Sequence, residues 1–512
     1  MYQYNLGQVF IDISRKNKDK QAIVFDGDES ISFHELDCLS NKLANFFLEK
    51  NLEKRDVIAI QNKKSPYGFA AMIACLKLGI IYTNFDYTNP EERIKKIFYT
   101  ACPKLVFADE YNDDMERLCR ELSVDYIAAD RSQGIIGRES ETVDNVFIDS
   151  VSGNMPAYIM FTSGSTGVPK GVLIKQNSLL NFIKWGKKTY GLTQEDILTN
   201  VNPIYFDNSV FDFYCSVFNG ITMVAISKEI LDKPNEMLEV VENSGCTFWF
   251  SVPSMLIYLM NLKLLTKNIL GKIRIFSFGG EGYPKELLRK LYHIYKDTAE
   301  FYNVYGPTEG TCICSAYKIT ESDMKEDGLA PLGKISANFE YVILDEEGNQ
   351  SAVGELCLIG EQLALGYYND VERTQIAFVE CHHIGAYRER MYRTGDRVEE
   401  LDGKLYFRGR IDNQIKHMGY RIELEEIENA LIKIPGLKQC AVIHTLSKNG
   451  FSKIVAFVAG SEMANVDIRN ELKKYLPGYM IPNTIEHLDE LPKNANGKVD
   501  RVLLKKQYEQ EI

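Results

Sequence analysis

Tyr158-Ile-Met-Phe-Thr-Ser-Gly-Ser-Thr-Gly-Val-Pro-Lys-Gly171 decides how this chain is read. An apolar run suited to a buried strand passes directly into a loop rich in glycine and hydroxyls, closed by a lysine. Phosphate oxygens need several converging donors and a nearby cation. Thr162, Ser163, Ser165 and Thr166 supply hydroxyls, and Lys170 supplies the charge. Gly164, Gly167 and Gly171 let the backbone turn and approach closely. No Gly-Lys-[Ser/Thr] follows a four-residue gap after a glycine, so this is not a Walker A loop. By composition alone such a segment is an ordinary Ser/Gly turn between strands. What surrounds it decides between the two readings.

Outward from this loop the chain alternates short β-rich runs with amphipathic segments, which indicates α/β architecture. Buried strands are expected at Val57–Ile60, Leu105–Phe107, Met223–Ile226, Thr247–Phe250 and Ile273–Phe276. A helix is expected over Phe33–Leu48 with Ser32 as its N-cap. Another is expected over Pro284–Tyr295, with Pro284 in the first turn. From Tyr341 the texture becomes strands and tight turns, as in a β-rich subdomain. The tail after Asp412 is domain-sized.

The whole composition sets outer limits. The chain has 512 residues, 45% of them apolar, enough for large cores. The net charge of −12 disfavours nucleic acid and an anionic membrane as partners. Eleven cysteines form no C-x-x-C pair, and they read as reduced, mostly buried thiols of a cytoplasmic protein. The N-terminus lacks the basic and apolar regions of a signal peptide. The apolar run from Phe69 to Tyr82 is broken by Lys77 and is too short to span a bilayer. His382-His383-Ile-Gly-Ala-Tyr-Arg lacks the Asp-Gly of a condensation motif, and the histidines read as a surface-loop pair. No H-E-x-x-H or G-x-S-x-G is present.

The opening loop resembles the signature loop of the adenylate-forming superfamily, which includes acyl-CoA synthetases, luciferases and nonribosomal peptide synthetase adenylation domains. Further segments resemble that family's motifs in the family's order. They are Phe206-Asp-Asn-Ser209, Asn303-Val-Tyr-Gly-Pro-Thr-Glu309, Tyr392-Arg-Thr-Gly-Asp396, Gly409-Arg-Ile-Asp412, Gly419-Tyr-Arg-Ile-Glu423, Pro477 to Pro482, and Asn496-Gly-Lys-Val-Asp-Arg501. The resemblance implies a large N-terminal domain, residues 1–408, of two α/β subdomains and a β-rich subdomain. A hinge at residues 409–413, centred on Asp412, would join it to a small mobile α+β domain at residues 414–512.

The resemblance also implies the site. ATP would lie on the phosphate loop with Gly280, Glu281, Asn303, Tyr305, Asp396 and Arg410, and Glu309 would bind Mg²⁺. A hard carboxylate suits that ion. Tyr305 would stack on adenine, and Asp396 would accept the ribose hydroxyls. Thr308 and Lys498 are the expected catalytic residues, with Lys498 bridging the substrate carboxylate and the α-phosphate. Fixed positive charge where two anions meet is worth most in the transition state.

Asp207 discriminates among family members. A carboxylate there suits the α-ammonium of an amino acid and has no use in fatty-acid or aryl-acid ligases. The rest of the wall would be Asn208, Phe211, Phe250, Ser277, Gly279, Val304, Cys312 and Ile313. Two phenylalanines suggest a small or medium neutral substrate, while Asn208, Ser277 and Cys312 leave a polar side chain open. Stand-alone relatives of similar length resemble D-alanine:carrier-protein ligases. Those have a cysteine where this chain has Gly279, which counts against D-alanine. No Gly-Gly-x-Ser segment follows Lys498, so the expected carrier is a separate phosphopantetheinylated protein. The expected activity is amino-acid adenylation and transfer to that carrier. The alternatives are a carboxylate:CoA ligase and a catalytically silent adenylate-binding protein.

Overall fold

The computed structural model describes residues 4–384, 387–447, 452–461, 463–494 and 499–511. Two large, mostly parallel sheets form the body. One has the strand order Gly366–Tyr367, Lys170–Lys175, Pro156–Thr162, Ile81–Asn84, Val57–Gln61, Leu105–Ala108, Asp125–Ala128. The other orders Ser315–Lys318, Glu300–Tyr305, Ile275–Gly279, Phe248–Ser251, Ile197–Asn200, Thr222–Ala225, Gln21–Phe25 and Glu29–Ser32. Val57–Gln61, Phe248–Ser251 and Ile275–Gly279 are buried throughout, as parallel strands covered on both faces must be. The five strands read from sequence are all present, three of them displaced by one to three residues. The α/β architecture is therefore as expected.

Helix Phe33–Glu49 begins at Ser32 with a full capping box. Ser32 accepts from the Glu35 amide while the Glu35 carboxylate accepts from the Ser32 amide. Helix Lys285–Tyr295 starts one residue later than the sequence suggests, because Pro284 is extended (ψ 127°) and serves as N-cap. Helix Pro66–Leu78 is buried on every side. Lys77 is tolerated there because its ammonium donates to Asp37, Ser40 and Asn41 at 2.6–2.8 Å. Among the described residues, no helix is long and apolar enough to cross a membrane. All eleven cysteines are free, and seven of them are buried.

A third, antiparallel sheet contains Glu340–Leu344, Val353–Ile359, Tyr387–Leu401, Phe378–Ile384 and Lys404–Arg410. His382 and His383 thus lie in a strand, not in the surface loop that their polarity suggested. The hairpin Gln414–His417/Tyr420–Glu423 leads to a smaller unit with its own core and a three-stranded sheet. That sheet comprises Gln439–Leu446, Ser452–Ala459 and Thr484–His487. Helix Arg501–Glu511, not foreseen, packs Leu504 and Tyr508 against it.

One polar link ties the hairpin to this sheet. The Ser452 hydroxyl lies 2.6 Å from His417 Nδ1 and 2.6 Å from His444 Nε2. Burial pulls both histidines from the ordinary 6.5 down to about 4, so both are neutral in the fold. An unfolded chain protonates them first as pH falls. Stability is therefore complete above about pH 6.5 and is lost towards pH 4. Between pH 6 and 5 the pair should cost about 1–2 kcal/mol. Thermal melts across that range should show the loss, and His417→Gln should flatten it.

Candidate active site

The site forms where parallel strands end, the usual place for ligands in α/β sheets. Pro156–Thr162 delivers the glycine- and hydroxyl-rich loop, Ile275–Gly279 delivers Gly280 and Glu281, and Glu300–Tyr305 delivers the segment ending at Glu309. The loop at 163–169 is tight. A Cβ on Gly164 would sit 2.1 Å from the Val168 carbonyl oxygen, and Gly167 has φ +75°. The Thr162 hydroxyl is buried with no hydrogen-bond partner, as expected of a donor placed for a ligand.

The small C-terminal unit sits on this loop. The Ser163 hydroxyl donates to the Arg421 carbonyl at 2.7 Å and accepts from the Glu423 amide at 3.2 Å. Lys170 pairs with Glu423 at 2.9 Å. The Asn429 amide donates to the Ser165 carbonyl at 3.2 Å, and Lys96 donates to the Gly167 carbonyl at 2.6 Å. Arg373 bonds the Thr166 hydroxyl. A buried ion pair, Arg93–Glu426, closes the outer side of the contact. Tyr420 stacks on Tyr479 at 3.6 Å and meets Phe206 edge-on at 4.6 Å.

Glu309 is fully buried and accepts from Tyr367 and Arg421, each at 2.7 Å. Burial pushes its carboxyl up, but Arg421 and Lys170 outweigh that and hold it at about 2. In this arrangement Arg421 supplies the positive charge that the sequence reading assigned to Mg²⁺. Among the described residues, no group of three or more His, Cys, Asp or Glu could hold a metal on its own. Any ion at Glu309 would therefore need ligand oxygens from its substrate, as magnesium commonly does.

A groove of about 960 Å³ is lined by Gly280, Glu281, Asn303, Tyr305, Asp396 and Arg410, all six predicted for the nucleotide. The Tyr305 hydroxyl donates to Asp396 at 2.6 Å, and Arg410 donates to its other oxygen at 2.7 Å. The remaining donors of Arg410 grip Asp412 in a fork, both bonds at 2.6 Å. That fork holds the Asp412 carboxyl below the usual range despite its partial burial. Glu281 accepts from the Ser254 amide at 2.7 Å and the Gly419 amide at 3.1 Å. It thereby ties the hairpin to the groove. Asn303 donates to the Pro331 carbonyl at 2.8 Å.

Beside the groove lies a cavity of about 60 Å³. Asp207, Asn208, Phe250, Val304, Cys312 and Ile313 line it, with Thr308 at its mouth. Thr308 donates to Asp207 at 2.6 Å. Burial raises the Asp207 carboxyl above the ordinary aspartate range. The other three predicted wall residues stand behind this lining. Phe211 packs edge-on beneath Phe250 with ring centres 5.2 Å apart. The Ser277 hydroxyl lies 3.0 Å from that of Tyr190. Gly279 abuts Val304, whose Cγ2 would lie 2.5 Å from a Cβ there. Lys498 falls outside the described residues.

Residues 10–368 match the AMP-binding enzyme family, and residues 426–498 match that family's C-terminal domain. The chain belongs to the AMP-binding enzyme family. It is 33% identical over 491 residues to a D-alanine–D-alanyl carrier protein ligase of Listeria monocytogenes, covering 93% of each chain. It is also 33% identical over 506 residues to bacitracin synthase 3 of Bacillus licheniformis, but spans only 8% of that protein. Of the dimodular nonribosomal peptide synthase of Bacillus subtilis it spans 20%, at 34% identity. In fold it is similar to the Vibrio cholerae adenylation domain AlmE, solved with glycyl-adenosine-5′-phosphate. That likeness has a TM-score of 0.84 at 22% identity and covers 100% of this chain and 99% of the other.

Several contributors to this site were not foreseen. Lys416 lines both the groove and the cavity, and Arg421, Tyr367 and Gln362 hold the loop around Glu309. Gln362 braces the cavity wall. Its amide donates to the Gly310 and Ile313 carbonyls, and its own carbonyl accepts from Thr311. Thr311 and Cys312 both sit at positive φ (61° and 71°), an uncommon backbone for such residues that this bracing maintains. Lysine or arginine close to a glycine turn was the one sequence signal available for Lys416 and Arg421.

Proposed function

We propose that this chain activates an amino acid as its adenylate, using ATP and Mg²⁺, and passes the aminoacyl group to the phosphopantetheine thiol of a separate carrier protein. The observation that carries the proposal is Asp207. It is a half-buried carboxylate beside a nucleotide-sized groove, and among the described residues it forms no ion pair. Such a group asks for a cation of the right size, and an α-ammonium is one. The similarity to the D-alanine–D-alanyl carrier protein ligase of Listeria monocytogenes over 93% of each chain supports this reading.

The substrate carboxylate is ionised near pH 7, so its attack on the α-phosphate needs no general base. The protein positions the two anions and neutralises them. Ser163, Ser165, Thr166 and Lys170 would hold phosphates, Asp396 the ribose, and Glu309 the Mg²⁺, which would supply positive charge against the phosphates. Residues 421–423 presently cover that same loop. Triphosphate binding therefore requires the C-terminal unit to withdraw, and residues 409–413 would be its hinge, with Asp412 released from or held by Arg410. Lys498 would enter when residues 416–423 leave.

The test is direct. With the amino acid, ATP, Mg²⁺ and a phosphopantetheinylated carrier, intact-mass spectrometry should show the carrier gain one aminoacyl group and lose it on treatment with hydroxylamine. Loading of free CoA in preference to any carrier would overturn the proposal. Arg93→Met should tilt the balance between the two arrangements, because it leaves Glu426 buried without its partner at a cost of about 3–5 kcal/mol to the closed form. The expected result is faster protease cleavage at 409–413, faster pyrophosphate exchange and slower carrier loading.

A further inference from the structure

The cavity beside Asp207 contains a second polar group with nothing to bond. Asn208 is 9% exposed, lines the cavity, and makes no side-chain hydrogen bond to any described residue. Its Nδ2 faces Gly280 across the cavity, 3.7 Å from where a Cβ on that glycine would stand. The Thr162 hydroxyl in the same lining is also without a partner, whereas other polar groups of the wall are paired. Ser277 bonds Tyr190, and Asp207 bonds Thr308. Burial pushes the Cys312 thiol well up, so it stays a neutral, weakly polar wall. An amide without a protein partner on the wall of a cavity is available to bond a ligand group.

The cavity also limits size. Below it the rings of Phe211, Phe250, Phe248 and Tyr190 interlock, with centre-to-centre distances of 5.2–5.4 Å from Phe211 to each of its three neighbours. A floor built this way does not yield to a longer side chain. The space, which also runs out to Ser163, Arg421 and Tyr479, is only about 60 Å³ in all and leaves little room at the Asp207 end. That suffices for an α-amino group, an α-carbon and a very short side chain. Lys416 and Arg421 border the same space and exclude a cationic one.

Resting on the adenylation reading above, we infer that the substrate is a small amino acid with a hydrogen-bonding group on its β-carbon, serine being the simplest. Asn208 reads that group. Asp207 and Asn208 are consecutive at the start of helix Asn208–Val217. The ammonium partner and the side-chain partner are thus fixed to one rigid element. Alanine or glycine would fit but leave the Asn208 amide unpaired. Threonine and valine would meet the aromatic floor or the Val304 and Ile313 wall.

Pyrophosphate exchange with serine, alanine, glycine, threonine and valine, each as both enantiomers where they exist, tests this. Serine should exceed alanine by roughly 10- to 100-fold in kcat/KM, the scale of leaving one hydrogen-bonding partner unmade. In Asn208→Ala and Asn208→Leu that ratio should fall to within about threefold. Thermal melts matching wild type will show that the variants are folded. Alanine or glycine equalling serine in the wild-type protein would overturn the substrate class. A preference for serine that survives both substitutions would overturn the role of Asn208, as would a folded variant inactive with every amino acid. Exchange with no amino acid at all, but with propanoate, would instead overturn the adenylation reading on which the inference rests.

Discussion

Asp207→Ala is expected to lower kcat/KM for the amino acid by about 10²–10³-fold or more, because a buried ammonium left without its counter-charge costs about 3–5 kcal/mol. The effect should be selective. A des-amino analogue brings no ammonium into the cavity, so its weak activity should not fall and should approach that of the amino acid. The pH dependence follows from the raised Asp207 carboxyl. As pH falls through that raised value, Asp207 protonates, the ammonium loses its partner and KM for the amino acid rises. In Asp207→Asn this acid limb should vanish. The consequence for stability has the opposite sign. Burial disfavours the carboxylate, so the folded protein loses stability as pH rises past the ordinary aspartate range. Asp207→Asn should be as stable as wild type at pH 7, or more so. A variant that loses activity and stability together would show a structural role instead.

Lys498→Ala should slow adenylate formation about 10²–10³-fold, the scale for removing one preorganised charge from a transition state. ATP binding should change little, because the loop around Lys170, Asp396 and Tyr305 is untouched. The chain just after Lys498 is well anchored. Arg501 opens the last helix and pairs with Glu428 at 2.6 Å. The hairpin that precedes this unit covers Ser163 and Glu309. On the proposed scheme, carrier loading from a preformed adenylate should survive the substitution. Retention of exchange within a few-fold would remove Lys498 from the mechanism.

Much of the site was legible because it is written in short, local words. The loop Thr162–Lys170 and the segment Asn303–Glu309 each place their groups within ten residues of one another. The strands at Val57 and Ile275 were readable because burial on both faces demands unbroken apolar runs. What escaped notice was long-range. Arg421 reaches Glu309 across 112 positions of sequence, and Arg93 reaches Glu426 across 333. No local pattern marks a surface-type arginine as one that will be buried against a partner so distant. Ser277 has a long-range neighbour of the same kind, since its hydroxyl lies 3.0 Å from that of Tyr190, 87 positions away. Asn208 shows the converse, because only the packed cavity reveals that its amide has no partner. The first turn of helix Lys285–Tyr295 was misjudged for a smaller reason. Proline's fixed φ suits the N-cap as well as the first turn, and the extended ψ of Pro284 decides between them.

The account rests on Asp207 as the partner of an amino group. The most direct measurement is pyrophosphate exchange with serine against 3-hydroxypropanoate, and alanine against propanoate, under identical ATP and Mg²⁺. The account predicts exchange with the amino acids and a drop of at least about 10²-fold for each acid lacking the amine. Equal exchange from the paired acids would contradict it and would identify the chain as a ligase of simple carboxylates.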